Sequence, residues 1–195
     1  MAEEKEILEE EETPLTTERL AELIQKRDVK GIREIFQYVP DIDIAEVAND
    51  LDPKDLIYIF RCVKSAETAI FFDELNQEAK ENLVKAMTDK ELVQLVNEQY
   101  ADDVADAVED MPANLAQKVL KAADKDMRRD INNLLNYKED TAGSIMTTEY
   151  LEFKDTETID EVIEQIRKRG KDAETIYTLF VRDKNRDFVG TVDLD

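Results

Sequence analysis

The chain has 195 residues, with 48 acidic and 26 basic side chains and a formal net charge of −22. Such a chain is repelled by nucleic-acid phosphates and anionic lipid, so no nucleic-acid partner is expected. Histidine is absent and Cys62 is the only cysteine. That excludes Ser-His-Asp and Cys-His catalysis, His-ligated metals, Cys-rich zinc sites and an intramolecular disulfide, leaving oxygen-ligated hard cations as the metals to consider.

Residues 1–14 read as an acidic, disordered lead-in, with seven glutamates and one lysine in the first thirteen positions. The remainder still holds 41 acids against 25 bases, so the acidity belongs to the folded part. The start has neither the basic flank nor the apolar stretch of a signal peptide. The longest apolar run, Leu56–Phe60, is far short of the roughly 20 residues of a membrane span. The piece by itself is expected in the cytosol, where a lone cysteine stays reduced.

Residues 15–136 read as helical. Gly31 is the single glycine from Pro14 to Asn136, and Pro40, Pro53 and Pro112 fall at helix edges. Asp52-Pro53 reads as an N-cap followed by proline at the first helical position, and Thr88 with Glu91 as a capping box. Ser65 and Asn76 are further N-cap candidates. The helices between these marks are about ten residues long. An apolar pattern recurs every 24 residues: Val47, Phe71, Leu95 and Val119; their neighbours Ala48, Phe72, Val96 and Leu120; and, twelve positions on, Ile59, Leu83, Ala107 and Ile131. The match fails where Leu51 and Leu75 are followed by Gln99 and Ala123. The predicted architecture is a degenerate repeat of two short helices stacked as an α-helical, solenoid-like superhelix, against an irregular bundle with chance spacing.

Residues 137–195 change character. Tyr150–Phe153 is a strand candidate, and Thr158–Arg169 an amphipathic helix with Ile159, Val162, Ile163 and Ile166 on one face. Thr175–Arg182 and Phe188–Leu194 are further strands around a turn at Asp183–Asp187. With no closing helix before Asp195, this second domain is expected to be incomplete.

Between Lys90 and Lys118 there is no basic residue, and seven acids: Glu91, Glu98, Asp102, Asp103, Asp106, Glu109 and Asp110. Asp102 and Asp106 are four apart and share one helix face. Like charges at that spacing disfavour the helix, and a divalent cation would offset the strain. Mg²⁺ uses one or two carboxylates and keeps several waters, which suits such a pair. The alternative is a merely solvated acidic face. No catalytic constellation or phosphate-binding glycine loop appears, so the chain is not expected to be an enzyme. Cys62 lies in an apolar stretch and reads as a small core residue.

The run from Tyr137 through Asp140, Ala142, Gly143, Met146 and Thr147 to Glu149 and Tyr150 resembles the junction between the N domain and first CBS domain of MgtE-type magnesium transporters. Glu174–Tyr177, Val181-Arg182-Asp183 and Val189-Gly190 are similar to the first CBS repeat of that family. Ala101–Asp106 matches an acidic stretch of its N domain. The resemblance, over roughly 15–194, implies an N domain followed by a partial α/β CBS unit. It implies the cytosolic, regulatory part of a homodimeric inner-membrane magnesium channel. Mg²⁺ would bind between acidic N and CBS surfaces and favour the closed state, with Asp102 and Asp106 as metal ligands. The implied partners are the chain's own CBS and transmembrane pore domains. No pore domain is present in the sequence, so this chain is not expected to conduct ions. CBS pairs of the family can hold ATP, but Thr178 stands here where an aromatic is usual and Asp195 where a basic residue is common. With the second repeat missing, nucleotide binding is not expected. The competing reading from another class is an acidic helical scaffold that binds a basic protein.

Overall fold

The computed structural model describes residues 16–138 and 140–194, with the side chains of Ser65 and Ala66 left aside. The acidic lead-in and Asp195 lie outside the described residues. Ten short helices come first: α1 (Thr17–Gln25), α2 (Val29–Tyr38), α3 (Asp41–Ala48), α4 (Pro53–Cys62), α5 (Ser65–Glu74), α6 (Gln77–Ala86), α7 (Asp89–Val96), α8 (Ala101–Glu109), α9 (Ala113–Ala122) and α10 (Lys125–Leu134). An α/β segment follows, with β1 (Glu152–Lys154), α11 (Ile159–Arg169), β2 (Thr178–Arg182) and β3 (Phe188–Asp193). This is the mainly α fold with a small α/β unit that the sequence predicts.

The helices keep strict time. Their first residues are 17, 29, 41, 53, 65, 77, 89, 101, 113 and 125, a step of 12 each time. Two steps give the 24-residue period seen in the apolar pattern. Helices of this length are marginal alone, so each depends on burying its apolar face. The patterned residues do this: Ile59, Leu83, Phe71 and Ile131 are fully buried, and Leu95, Val119, Ala48, Phe72, Val96 and Ala107 nearly so. Val47 and Leu120 are half-buried.

The residue before each helix sets its entry. Asp28, Asn76 and Asp124 occupy that position at intervals of 48 residues, and each accepts amide protons from the first turn that follows. Asp52 is in register but makes no side-chain cap bond. Thr88 and Glu91 form the predicted capping box, with bonds of 2.8 and 3.3 Å. The prediction of Ser65 as a cap is corrected: α5 starts at Ser65 itself, and Lys64 takes the preceding position, its amide donating to Glu67. That carboxylate closes the turn from inside the helix.

The chain divides into two compact units, Met1–Ala86 and Met87–Asp195. In the first, α3 packs on α5 and α4 on α6; in the second, α7 packs on α9 and α8 on α10. One hydrogen bond is repeated in both. Asn49 Oδ1 accepts the Asn76 amide at 3.0 Å, and 48 residues on Asn97 Oδ1 accepts the Asp124 amide at 3.1 Å. Cys62 is buried, as expected of a core residue.

In the α/β segment β1 pairs parallel to β2, with α11 as the crossover, and β2 pairs antiparallel to β3. Leu151, Phe153, Ala173 and Leu179 form its core, covered by Val162 and Ile166 of α11. Ile159 and Ile163, predicted on the same face, remain exposed along one edge of that stripe. Thr158 and Glu161 cap α11 with a second reciprocal box. Gly143 lies against the ring of Tyr137, where a Cβ would come within 2.2 Å of Cδ1. Only glycine permits that approach, which explains one fixed point of the Tyr137–Tyr150 run.

Candidate functional site

The site is built at the start of α8. Ala101, Val104, Ala105, Ala107 and Val108 are buried, turning the polar positions of the helix away from its packing on α10. Asp102 and Asp103 fall in the first turn, where the helix dipole favours negative charge. Val104 and Val108 are in the core and Asp106 is exposed, as the spacing predicts. Asp102 is different. It is only partly exposed, and its Oδ1 is buried with no hydrogen-bond partner.

The cause is the α/β segment, which covers this end of α8. The position before α8 is Tyr100, which breaks the Asp/Asn register of residues 28, 52, 76 and 124. Tyrosine offers no carboxylate or amide oxygen to the first turn. Its hydroxyl instead reaches the Ala173 carbonyl at 3.4 Å. The Ala101 amide donates to Glu149 Oε1 at 3.1 Å. The Glu149 carbonyl accepts the Glu174 amide at 2.9 Å, joining the two stretches that face α8. The other carboxylate oxygen of Glu149 accepts from the Thr148 amide (3.2 Å), the Thr148 hydroxyl (2.9 Å) and the Thr147 hydroxyl (3.3 Å).

The electrostatics follow from this covering. The Asp102 carboxyl is pushed up to about 6, first by burial and then by the carboxylates of Asp103, Glu149 and Glu174; hydrogen bonding to its own backbone amide works the other way. The Tyr100 hydroxyl is also pushed up, mainly by burial and then by the same acidic neighbours. Charge on Asp102 is therefore disfavoured by its surroundings, and a cation beside Oδ1 would satisfy both the charge and the orphaned acceptor. Among the described residues, however, no three of the Asp, Glu and Cys side chains converge closely enough to cage an ion.

Thr178, singled out in the sequence, donates through its hydroxyl to Asp193 at 3.0 Å. Glu149 and Glu174 stand in the runs that carry the family resemblance, but their roles at α8 were not legible there. Tyr100, where the Asp and Asn residues at 28, 52, 76 and 124 would call for a cap, is the one trace of them in the repeat. On the α/β segment an open hollow of about 390 Å³ is lined by Tyr150, Phe180, Phe188, Glu152, Arg182 and Arg186 among others. No helix among the described residues is long and apolar enough to cross a membrane.

Residues 39–140 match the family model of the MgtE intracellular N domain, just over half of the chain. The chain is 27% identical over 179 residues to the magnesium transporter MgtE of Thermus thermophilus, covering 90% of itself and 40% of that protein. It is 26% identical over 184 residues to the magnesium transporter MgtE of Enterococcus faecalis, covering 90% of itself and 39% of that protein. The chain thus spans about two fifths of the length of the curated relatives it matches. Among solved structures it is similar to the cytosolic domain of the Mg²⁺ channel MgtE in complex with ATP, with 27% identity and a TM-score of 0.80, over 91% of this chain and 73% of that one. The soluble part of a magnesium transporter shares the fold, with 24% identity and a TM-score of 0.77, over 91% and 70% of the two chains. The N-terminal helical repeats, the acidic α8 and the α/β segment after it thus have their counterpart in one known family, and the chain belongs to it: the MgtE family, through its intracellular N domain.

Proposed function

We propose that this chain is the magnesium-sensing, regulatory part of a magnesium transporter, working at the cytoplasmic face of the membrane and not as an enzyme. Asp102 and Asp106 hold a largely hydrated Mg²⁺ between α8 and the α/β segment. Residues 15–136 act as the N domain and 137–195 as the start of a CBS domain. The observation that supports this most is the buried, partnerless Oδ1 of Asp102 in an acidic surround. Such a carboxylate gains more from a cation than a solvated one does.

The mechanism is electrostatic. Two carboxylates about 6 Å apart repel by roughly 0.7 kcal/mol in water and by more where solvent is partly excluded. An acidic helix facing acidic residues of the α/β segment sums several such terms. Mg²⁺ binds only where both surfaces are close, so it stabilises the closed arrangement by its differential affinity. In the full homodimeric transporter that arrangement holds the pore shut, and falling Mg²⁺ releases it. Small-angle scattering of the chain with and without Mg²⁺ tests this. The radius of gyration should fall on adding Mg²⁺, and the fall should need a higher concentration in Asp102→Ala with Asp106→Ala. A scaffold that binds a basic protein would show no such compaction.

A second reading is an adenosine nucleotide in the hollow beside Phe180. Arg186 supplies positive charge there, with Arg182 paired to Glu152 of the same lining at 2.9 Å, and the aromatic rings supply stacking faces. A relative of 27% identity is known in complex with ATP. Quenching of tyrosine fluorescence by ATP, lost in Arg182→Ala, is its test.

A further inference from the structure

We infer that Glu149 is a latch and not an ion ligand: it closes the first turn of α8 from the α/β segment, so that the helix end and the docked segment stabilise one another, a partial bias toward docking to which Mg²⁺ adds. The repeat itself carries the argument. Of the five alternate helices α2, α4, α6, α8 and α10, four are preceded by Asp28, Asp52, Asn76 and Asp124, and α8 by Tyr100, the one residue of the five with no capping oxygen. At that same helix an acceptor comes from 48 residues further along: Glu149 Oε1 takes the Ala101 amide, the first of the helix, where the Asp and Asn caps take the second or third.

Glu149 is also built for this task. Three donors from Thr147 and Thr148 converge on Oε2, fixing the carboxylate and aiming Oε1 at the helix end. Its lone pairs are largely used by protein donors, whereas Asp102 Oδ1 has none. The two neighbouring acids therefore divide the work: Glu149 holds the segment on α8, and Asp102 is left with the unmet acceptor. Tyr100 adds a second tie through the Ala173 carbonyl. When the segment leaves, α8 loses its cap and its first turn frays. Docking and helix order are thus one equilibrium, set before Mg²⁺ acts on it.

The test is amide hydrogen exchange on the 195-residue chain in EDTA, so that its result is independent of the magnesium reading. Glu149→Ala should speed exchange at Ala101 and its first-turn neighbours by about three- to tenfold, and expose residues 138–150 to limited proteolysis. Adding Tyr100→Asn, which supplies the third-position cap used at Asn76, should return slow exchange to Asp103 while Ala101 stays fast and the 138–150 stretch stays cleavable. That split is what a latch produces. The inference is overturned if Glu149→Ala leaves both readouts at the parent level. It is equally overturned if Tyr100→Asn fails to slow exchange at Asp103, or if exchange rises evenly over α7 to α10, since that is a general loss of stability.

Discussion

Asp102 and Asp106 lie one turn apart on α8 in opposite environments: the first has a buried oxygen with no partner, the second is exposed. The spacing made them look like an equivalent pair, but the covering α/β segment separates their roles. Asp102→Asn removes a charge that the fold disfavours and should stabilise the chain at pH 7 by about 1 kcal/mol, once screening of a partly exposed group is allowed for. Asp106→Asn should stay within about 0.5 kcal/mol of the parent. Urea unfolding of both variants checks the contrast.

The same asymmetry sets a pH dependence. A carboxyl whose folded value is raised binds its proton more tightly in the folded state, so its contribution is fully present below the unfolded value and lost as pH rises toward about 6. Glu157, Glu161 and Asp183 are held below the ordinary range, chiefly by backbone amides, and so favour the fold above it. The melting temperature should fall between pH 5 and pH 7, and this slope should flatten in Asp102→Asn. A melting temperature that rises over that interval would contradict the assignment.

Gly143→Ala should destabilise the second unit by about 1–3 kcal/mol, because the new methyl meets the Tyr137 ring at Cγ and Cδ1, close to its attachment, so that the ring or the backbone must shift. In a Tyr137→Ala background the same change should cost much less. A double-mutant cycle by thermal unfolding reads the coupling directly.

Helix caps give a contrast within one register. Asp124 accepts the amides of Asp126 and Met127, so Asp124→Ala should cost about 1 kcal/mol. Asp52 makes no such bond, and Asp52→Ala should cost a few tenths at most. Chemical unfolding of the two variants side by side distinguishes them.

Much of this architecture was legible in the sequence because it depends on local rules. The 24-residue apolar pattern marks the buried faces, and Thr88-Glu91 announces its own helix start. Strand, helix, strand, strand after Asn136 followed from periodicity alone. The site was only half legible. Asp102 and Asp106 stood out by charge and spacing, but the burial of Asp102 depends on Glu149 and Glu174, which reach α8 from 47 and 72 positions away in the chain. No local pattern encodes such a contact. The trace it left was Tyr100, a side chain out of register where the repeat calls for a cap.

The central claim is that Mg²⁺ is read at Asp102, and calorimetric titration of Mg²⁺ into the chain in two buffers of different ionisation heat, at pH 6, tests it most directly. The account predicts saturable binding with a fraction of a proton released per ion, because the ion displaces a proton from a carboxyl that titrates near that pH. It predicts that the release disappears in Asp102→Asn. Weak, non-saturating heats suppressed by salt, and the same in Asp102→Asn, would contradict it.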